Sequence, residues 1–156
     1  MATAIVYASK HGATGDIADL LARELGEDTV VMNLAEGQVV LDGFDTVVLG
    51  TAIYAGQPVK AMGQFAKAFD WTGKEVALFV CGMEPGADKR VQELERAYPE
   101  ALRAHAKAAR FMTGRFRFGE MNKAERFIIA RVAKTKEDVD AVDLAAIAEF
   151  AAQIRA

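Results

Sequence analysis

A chain of 156 residues has the length of one domain, and a single domain over 1–156 is expected, large enough to bury an apolar core without metals or disulfides. The composition is 52% hydrophobic and 26% charged, with mean hydropathy near zero, which excludes disorder and collagen-like or mucin-like architecture. The longest apolar runs, at 47–56 and 127–133, fall well short of the ~20 residues that span a bilayer. No secretory signal is expected at the N-terminus, and Cys81, the only cysteine, cannot form an internal disulfide, which points to a reducing cytoplasm.

Net charge is −3, but its distribution is uneven. Residues 1–80 carry ten acids against five bases, and 137–156 carry five acids against one base. Between them, Arg110, Arg115, Arg117, Lys123, Arg126, Arg131, Lys134 and Lys136 face only Glu120 and Glu125 within 110–136. That segment reads either as a solvated face balanced by its acidic neighbours or as a docking surface for something anionic.

Taken in chain order, short apolar runs alternate with stretches of helical period, the pattern of a parallel α/β sheet. Strands are expected at 4–8, 29–34, 46–50, 75–80 and 110–116. The first connection carries Ile17, Leu20, Leu21 and Leu25 on one helical face, with Gly26 available to end the helix. Segment 35–44 reads as a short helix or a plain connection. After the third strand, Val59, Met62, Phe65, Ala66 and Phe69 form a stripe, with Pro58 suited to the first helical turn. Trp71 is expected to cover the end of that helix. Val91, Leu94, Tyr98 and Leu102 keep helical spacing across Pro99, which should split the segment into two helices, and Leu144, Ile147, Phe150, Ala151 and Ile154 mark a closing helix. Such an order implies right-handed crossovers and a doubly wound sheet covered on both faces, with ligands bound beyond the carboxyl ends of the strands.

The first such end is "SKHGATG", residues 9–15. Helix-initial N–H groups lack intrahelical partners, and the helix dipole adds about half a positive charge there, so a phosphate can bind without a lysine. Gly12 permits close approach of the backbone, and Ser9 and Thr14 carry hydroxyl donors. A tight strand-to-helix turn capped by Thr14 explains the same residues. No GxxxxGK[ST] or GxGxxG is present. Ser9 and Gly50 stand where a receiver domain would need carboxylates for magnesium.

"SKHGAT" is similar to the flavodoxin phosphate loop, with His11 in place of the usual threonine. Segments 6–22, 44–69 and 113–134 resemble the flavodoxin-like protoporphyrinogen IX dehydrogenases in particular, the last because ordinary flavodoxins lack such a basic, aromatic stretch. The resemblance implies a flavodoxin-like, five-stranded parallel sheet of order 2-1-3-4-5 holding flavin mononucleotide (FMN) with three loops. Ser9, Lys10, His11, Gly12, Ala13 and Thr14 would grip the phosphate. Thr51, Ala52, Ile53, Tyr54, Ala55 and Gly56 would pass along the isoalloxazine ring, and Cys81, Gly82, Met83 and Glu84 would meet its pyrimidine edge. Members of that group usually carry an aromatic directly before the glycine of the second loop. Here Ala55 stands there and Tyr54 one place earlier, so Tyr54 is read either as stacking on the ring or as a partly buried loop tyrosine.

Cys81 reads as a small buried residue, and His105 as structural. Two histidines and one cysteine far apart make no metal site, so no metal is expected, and no catalytic acid or base is assigned. Phe111, Phe116, Phe118 and Phe127 lie within the basic segment, read either as half core with solubilising arginines or, as the resemblance favours, as a surface for a quinone, a porphyrin or anionic lipid at the inner face of the membrane; in an electron carrier it would be an interface for a redox protein. Nucleic acid is not among the expected partners. Three functions follow: a quinone-linked protoporphyrinogen IX dehydrogenase of heme biosynthesis, an FMN electron-transfer carrier, or a flavin-free binding module on the same fold.

Overall fold

The computed structural model describes residues 2–9, 13–54, 56–116 and 139–156. Met1, Lys10, His11, Gly12, Ala55 and residues 117–138, which hold most of the basic segment, lie outside them. Five long strands, β1 (Thr3–Ala8), β2 (Thr29–Asn33), β3 (Thr46–Tyr54), β5 (Glu75–Gly82) and β6 (Ala108–Thr113), form a parallel sheet in the spatial order β2-β1-β3-β5-β6. Counting only these five, the order is the expected 2-1-3-4-5. Between β3 and β5 the short strand β4 (Gln57–Pro58) turns back antiparallel on β3.

Alternation along the strands divides the core in two. Val6, Val47, Leu49, Val76, Leu78 and Val80 face α2 (Lys60–Ala68), α3 (Ala87–Ala97) and α4 (Glu100–His105), meeting Met62, Ala66, Tyr98 and Leu102. Ile5, Val48, Ala77, Phe79 and Met112 point the other way, toward α1 (Ala13–Leu25) and α5 (Leu144–Arg155), where Ile17, Leu21, Ile147 and Phe150 receive them. Burying a large aliphatic side chain contributes roughly 1.5–3 kcal/mol, so these two seams hold the layers together. Among the described residues, no helix is long and apolar enough to cross a membrane.

Local signals act where they were expected. Gly26, at φ 107, closes α1 by donating its N–H to Ala22 O at 3.0 Å. Pro99 separates α3 from α4. Trp71 donates its indole N–H to Ala66 O at 2.9 Å and packs on Phe69 and Phe65, covering the end of α2. Segment 35–44 is mostly irregular after a 3-10 turn (Leu34–Glu36), with Lys74 Nζ donating to Leu41 O and Phe44 O at 3.0 and 2.6 Å.

Other expectations are corrected. The third strand does not stop at 50, because Thr51–Tyr54 continue it, and the fourth strand likewise includes Cys81 and Gly82. The fifth ends at Thr113, where Gly114 lets the chain leave the sheet, and Arg115–Phe116 (β7) pair instead with Val139–Asp140 (β8). Pro58 lies in β4 and not in the helix, since an edge position tolerates its missing N–H. Val91 and Leu144, assigned to core stripes, are 55% and 65% exposed. The buried face of α3 is Glu93 and Ala97 instead.

A fully buried crossbar joins the two central strands: Tyr98 Oη approaches Phe79 O at 2.7 Å and Leu49 O at 3.0 Å. On the opposite face the Phe79 ring crowds Gly50, so close that a Cβ there would overlap the ring. Gly50→Ala is therefore expected to destabilise the fold by about 3 kcal/mol through overpacking, measured by urea unfolding.

Candidate functional site

Parallel register brings the carboxyl ends of four strands to one edge. Ala8 lies beside Thr51, Ala52 beside Cys81, and Gly82 beside Thr113. The exits of β1, β3 and β5 and the departure point Gly114 are thus neighbours, and the three expected loops share one rim. Helix α1 starts at Ala13, only four residues beyond the end of β1, so its unpaired N–H groups sit on this rim.

Thr14 occupies the first turn of α1 and does not cap it from outside. It is completely buried, and among the described residues its Oγ1 has no hydrogen-bond partner of ordinary geometry. The polar group facing it is the Cys81 thiol, a weak donor. Burial pushes that thiol up to about 11 from 9.0, with the Thr14 hydroxyl pulling weakly the other way. Gly114 closes the cluster, since a Cβ there would come within 2.5 Å of Cys81 Sγ and 3.7 Å of Ala13 Cβ. An unsatisfied buried hydroxyl costs about 1–3 kcal/mol, and an oxyanion at the helix N-terminus is the kind of acceptor that would offset it. The residues present at this rim fit a phosphate group.

At the second loop, Ser9 Oγ and Tyr54 Oη lie 3.4 Å apart, either one donating, so the Tyr54 hydroxyl reaches toward the exit of β1. Thr51 is buried, donates to Ala52 O at 3.3 Å and accepts from Val59 N at 3.2 Å, which fixes the return of the chain into α2. Thr51, Ala52 and Ile53 have buried side chains, so mainly main chain is left for a ligand. Gly56, at φ 80, makes the turn into β4.

The third loop starts in β5. Cys81 is buried, Gly82 lies against Phe111 and Ile53, and Met83 and Glu84 are half-buried. Glu84 Oε1 accepts from Gly86 N at 3.0 Å. Two arginines of α3 hold this loop and its neighbour. Arg90 Nε donates to Glu84 O at 2.5 Å with its guanidinium 4.7 Å from the centre of the Phe111 ring, while Arg96 Nη1 donates to Gly56 O at 2.8 Å. Between them Glu93 is buried, its Oε2 without a hydrogen-bond partner among the described residues.

Of the residues expected at the site, Ser9, Ala13, Thr14, Thr51, Ala52, Ile53, Tyr54, Gly56, Cys81, Gly82, Met83 and Glu84 belong to this rim or the strand ends beneath it. Lys10, His11, Gly12 and Ala55 lie outside the described residues. Sequence reasoning missed Arg90, Glu93, Arg96 and Gly114. Three of these are charged residues on a helix, which read as solvated, and no periodicity places a carboxyl inside. His105 meets Lys74 O at 2.8 Å, away from the rim, and Arg110 pairs with Glu149 at 2.9 Å. No group of three or more His, Cys, Asp or Glu side chains among the described residues is arranged for a metal.

A family model described as Flavodoxin domain matches residues 4–143. No curated protein sequence matches the chain. Among solved structures, a short-chain flavodoxin associated with a bacterial microcompartment is 16% identical, with a TM-score of 0.61 over 99% of this chain and 97% of that one. A Trp repressor binding protein from Bacillus subtilis is 14% identical, TM-score 0.53, covering 95% and 98%. A flavodoxin from the domain Archaea is 16% identical, TM-score 0.50, covering 86% and 98%. These likenesses establish the fold.

Burial of Cys81 has a pH signature. The folded thiol keeps its proton to higher pH than the unfolded one, so the stability it contributes is complete below pH 9.0 and lost as pH rises to about 11. The loss is expected to approach about 3 kcal/mol, at 1.36 kcal/mol per pKa unit. Urea unfolding of wild type and Cys81→Ala across this range checks it, the variant lacking this component of the decline.

Proposed function

Because the chain belongs to the flavodoxin domain family, we propose that it binds FMN at the carboxyl rim of its sheet and carries electrons between redox proteins. The observation that carries this reading is Thr14 at the N-terminus of α1, a buried hydroxyl that has only the weakly bonding Cys81 thiol facing it among the described residues. The α1 amides and the Thr14 and Ser9 hydroxyls are assigned the phosphate, with Lys10, His11, Gly12 and Ala13 completing the grip as the motif implies. Main chain at Thr51–Gly56 and Cys81–Glu84 is assigned the ring, with Tyr54 reaching back toward Ser9. When bound, the flavin supplies reversible electron transfer, and the protein contributes position, desolvation and dipoles. No side chain is assigned as a catalytic acid or base. The protein acts as a single domain over 1–156.

The carrier reading stands first because it requires only the fold and the cofactor grip. A finer reading, quinone-linked dehydrogenation of protoporphyrinogen IX, is favoured by one observation, the resemblance of 113–134 to that group. In it the basic residues of 110–136 would attract porphyrin carboxylates or the anionic lipid where a quinone resides.

Purified protein is expected to be yellow, or to become so on adding FMN. Failure to take up flavin at micromolar concentration would leave only the flavin-free module. Thr14→Ala should weaken FMN by about 10–100-fold, the worth of one hydrogen bond to a charged group, and leave riboflavin binding unchanged. Equal losses for both ligands would remove Thr14 from the phosphate site. Steady oxidation of protoporphyrinogen with a quinone present would favour the enzyme, and its absence the carrier.

A further inference from the structure

Glu93 is the most deeply buried acid among the described residues, 7% exposed, and the chain leaves its Oε2 without a hydrogen-bond partner among them. Two arginines are near enough to influence it, yet both are engaged elsewhere: Arg90 on Glu84 O and the Phe111 ring, Arg96 on Gly56 O. Those two carbonyls belong to the third and second loops, so Glu93 sits on the helix that braces both. A carboxyl held there with no salt bridge to any described residue is an expensive choice for structure alone.

We infer that Glu93 is a redox-linked proton site, gaining a proton when the bound flavin is reduced and releasing it on oxidation. This rests on the flavin reading above. A one-electron donor, dithionite in the laboratory, supplies the electron to the flavin; Glu93 takes a proton from hydronium in the solvent, whose O–H bond breaks as the carboxyl O–H bond forms. On oxidation that bond breaks and the proton returns to solvent. Glu93 lies on α3 between the two arginines that hold the second and third loops, so negative charge brought to those loops opposes its ionisation, which supplies the coupling.

Burial chiefly, then the charge of Glu84, raises the pKa of Glu93 above the usual carboxylate value, against smaller lowering effects from Arg96 and Arg90. Among the described residues, those are the charged groups that act on it. Of the strands packed on α3, β4 carries no charged residue, β5 has Glu75 at its far end, beside Lys107, and β6 has Arg110, committed to Glu149.

The test is the flavin midpoint potential against pH in wild type, Glu93→Gln and Glu84→Gln, with the carboxyl carbon of Glu93 followed by NMR in the flavin-free protein. Wild type should show an extra steepening in a window above the ordinary glutamate range. Glu93→Gln should lose it, and Glu84→Gln should move it to lower pH. The NMR titration of wild type should place Glu93 above the ordinary glutamate range, whether or not the glutamine variant folds. A window that persists in Glu93→Gln, that Glu84→Gln leaves in place, or an ordinary Glu93 titration overturns the inference. No flavin uptake at all would sink the flavin reading and this inference with it, whereas flavin uptake with identical profiles sinks this inference alone.

Discussion

The parallel register of β1, β3, β5 and β6 is the constraint on which the rest depends. Hydrogen bonding fixes Ala8 beside Thr51, Ala52 beside Cys81 and Gly82 beside Thr113, so chain segments distant in sequence leave the sheet at one rim. A shift of one residue in any pair would exchange its inward faces and empty both apolar seams. Site geometry is therefore underwritten by the same ladders and packing that stabilise the fold, and the loops need little structure of their own.

What the rim adds is scarcity of side chains. Ala13, Gly82 and Gly114 leave backbone amides close together, and the packing around them is tight enough that added methyl groups would press on Cys81 or Phe111. Such a surface suits a ligand that reads main-chain donors. Helix α3 supplies the complementary element, long charged side chains that reach up from outside to hold the second and third loops by their carbonyls. Rigidity thus arrives from the sheet below and a helix alongside.

Much of the architecture was legible because buried strands and amphipathic helices advertise themselves by period. The strand runs 4–8, 29–34 and 75–80, the breaks at Gly26 and Pro99, and the indole of Trp71 over α2 are local events with local signals. The strand ends were misread because Thr51 and Ala52 continue the ladder with β5 while Ile53 and Tyr54 pair with β4, and such residues give no local hint that a partner awaits them. Within α3 the failure has a different origin. Apolar spacing put Val91 inward, whereas the structure leaves it exposed and turns Glu93 and Ala97 to the interior. A buried acid is paid for by its surroundings, and those come from tertiary contacts that one-dimensional patterns do not contain. For the rim, Ser9, Ala13 and Thr14 were legible as a strand-to-helix turn, while Arg90 and Arg96 acquire meaning only once α3 lies against the rim.

The single tryptophan has a practical consequence. Its indole packs on Phe65 and Phe69 and is bonded to Ala66 O, at the end of the sheet opposite the loops, and β5's eight residues separate the two by roughly 26 Å at 3.3 Å each. Intrinsic fluorescence of this chain is accordingly a thermometer for the far pole of the molecule: it senses whether the scaffold is assembled, and events at the rim reach it only through space.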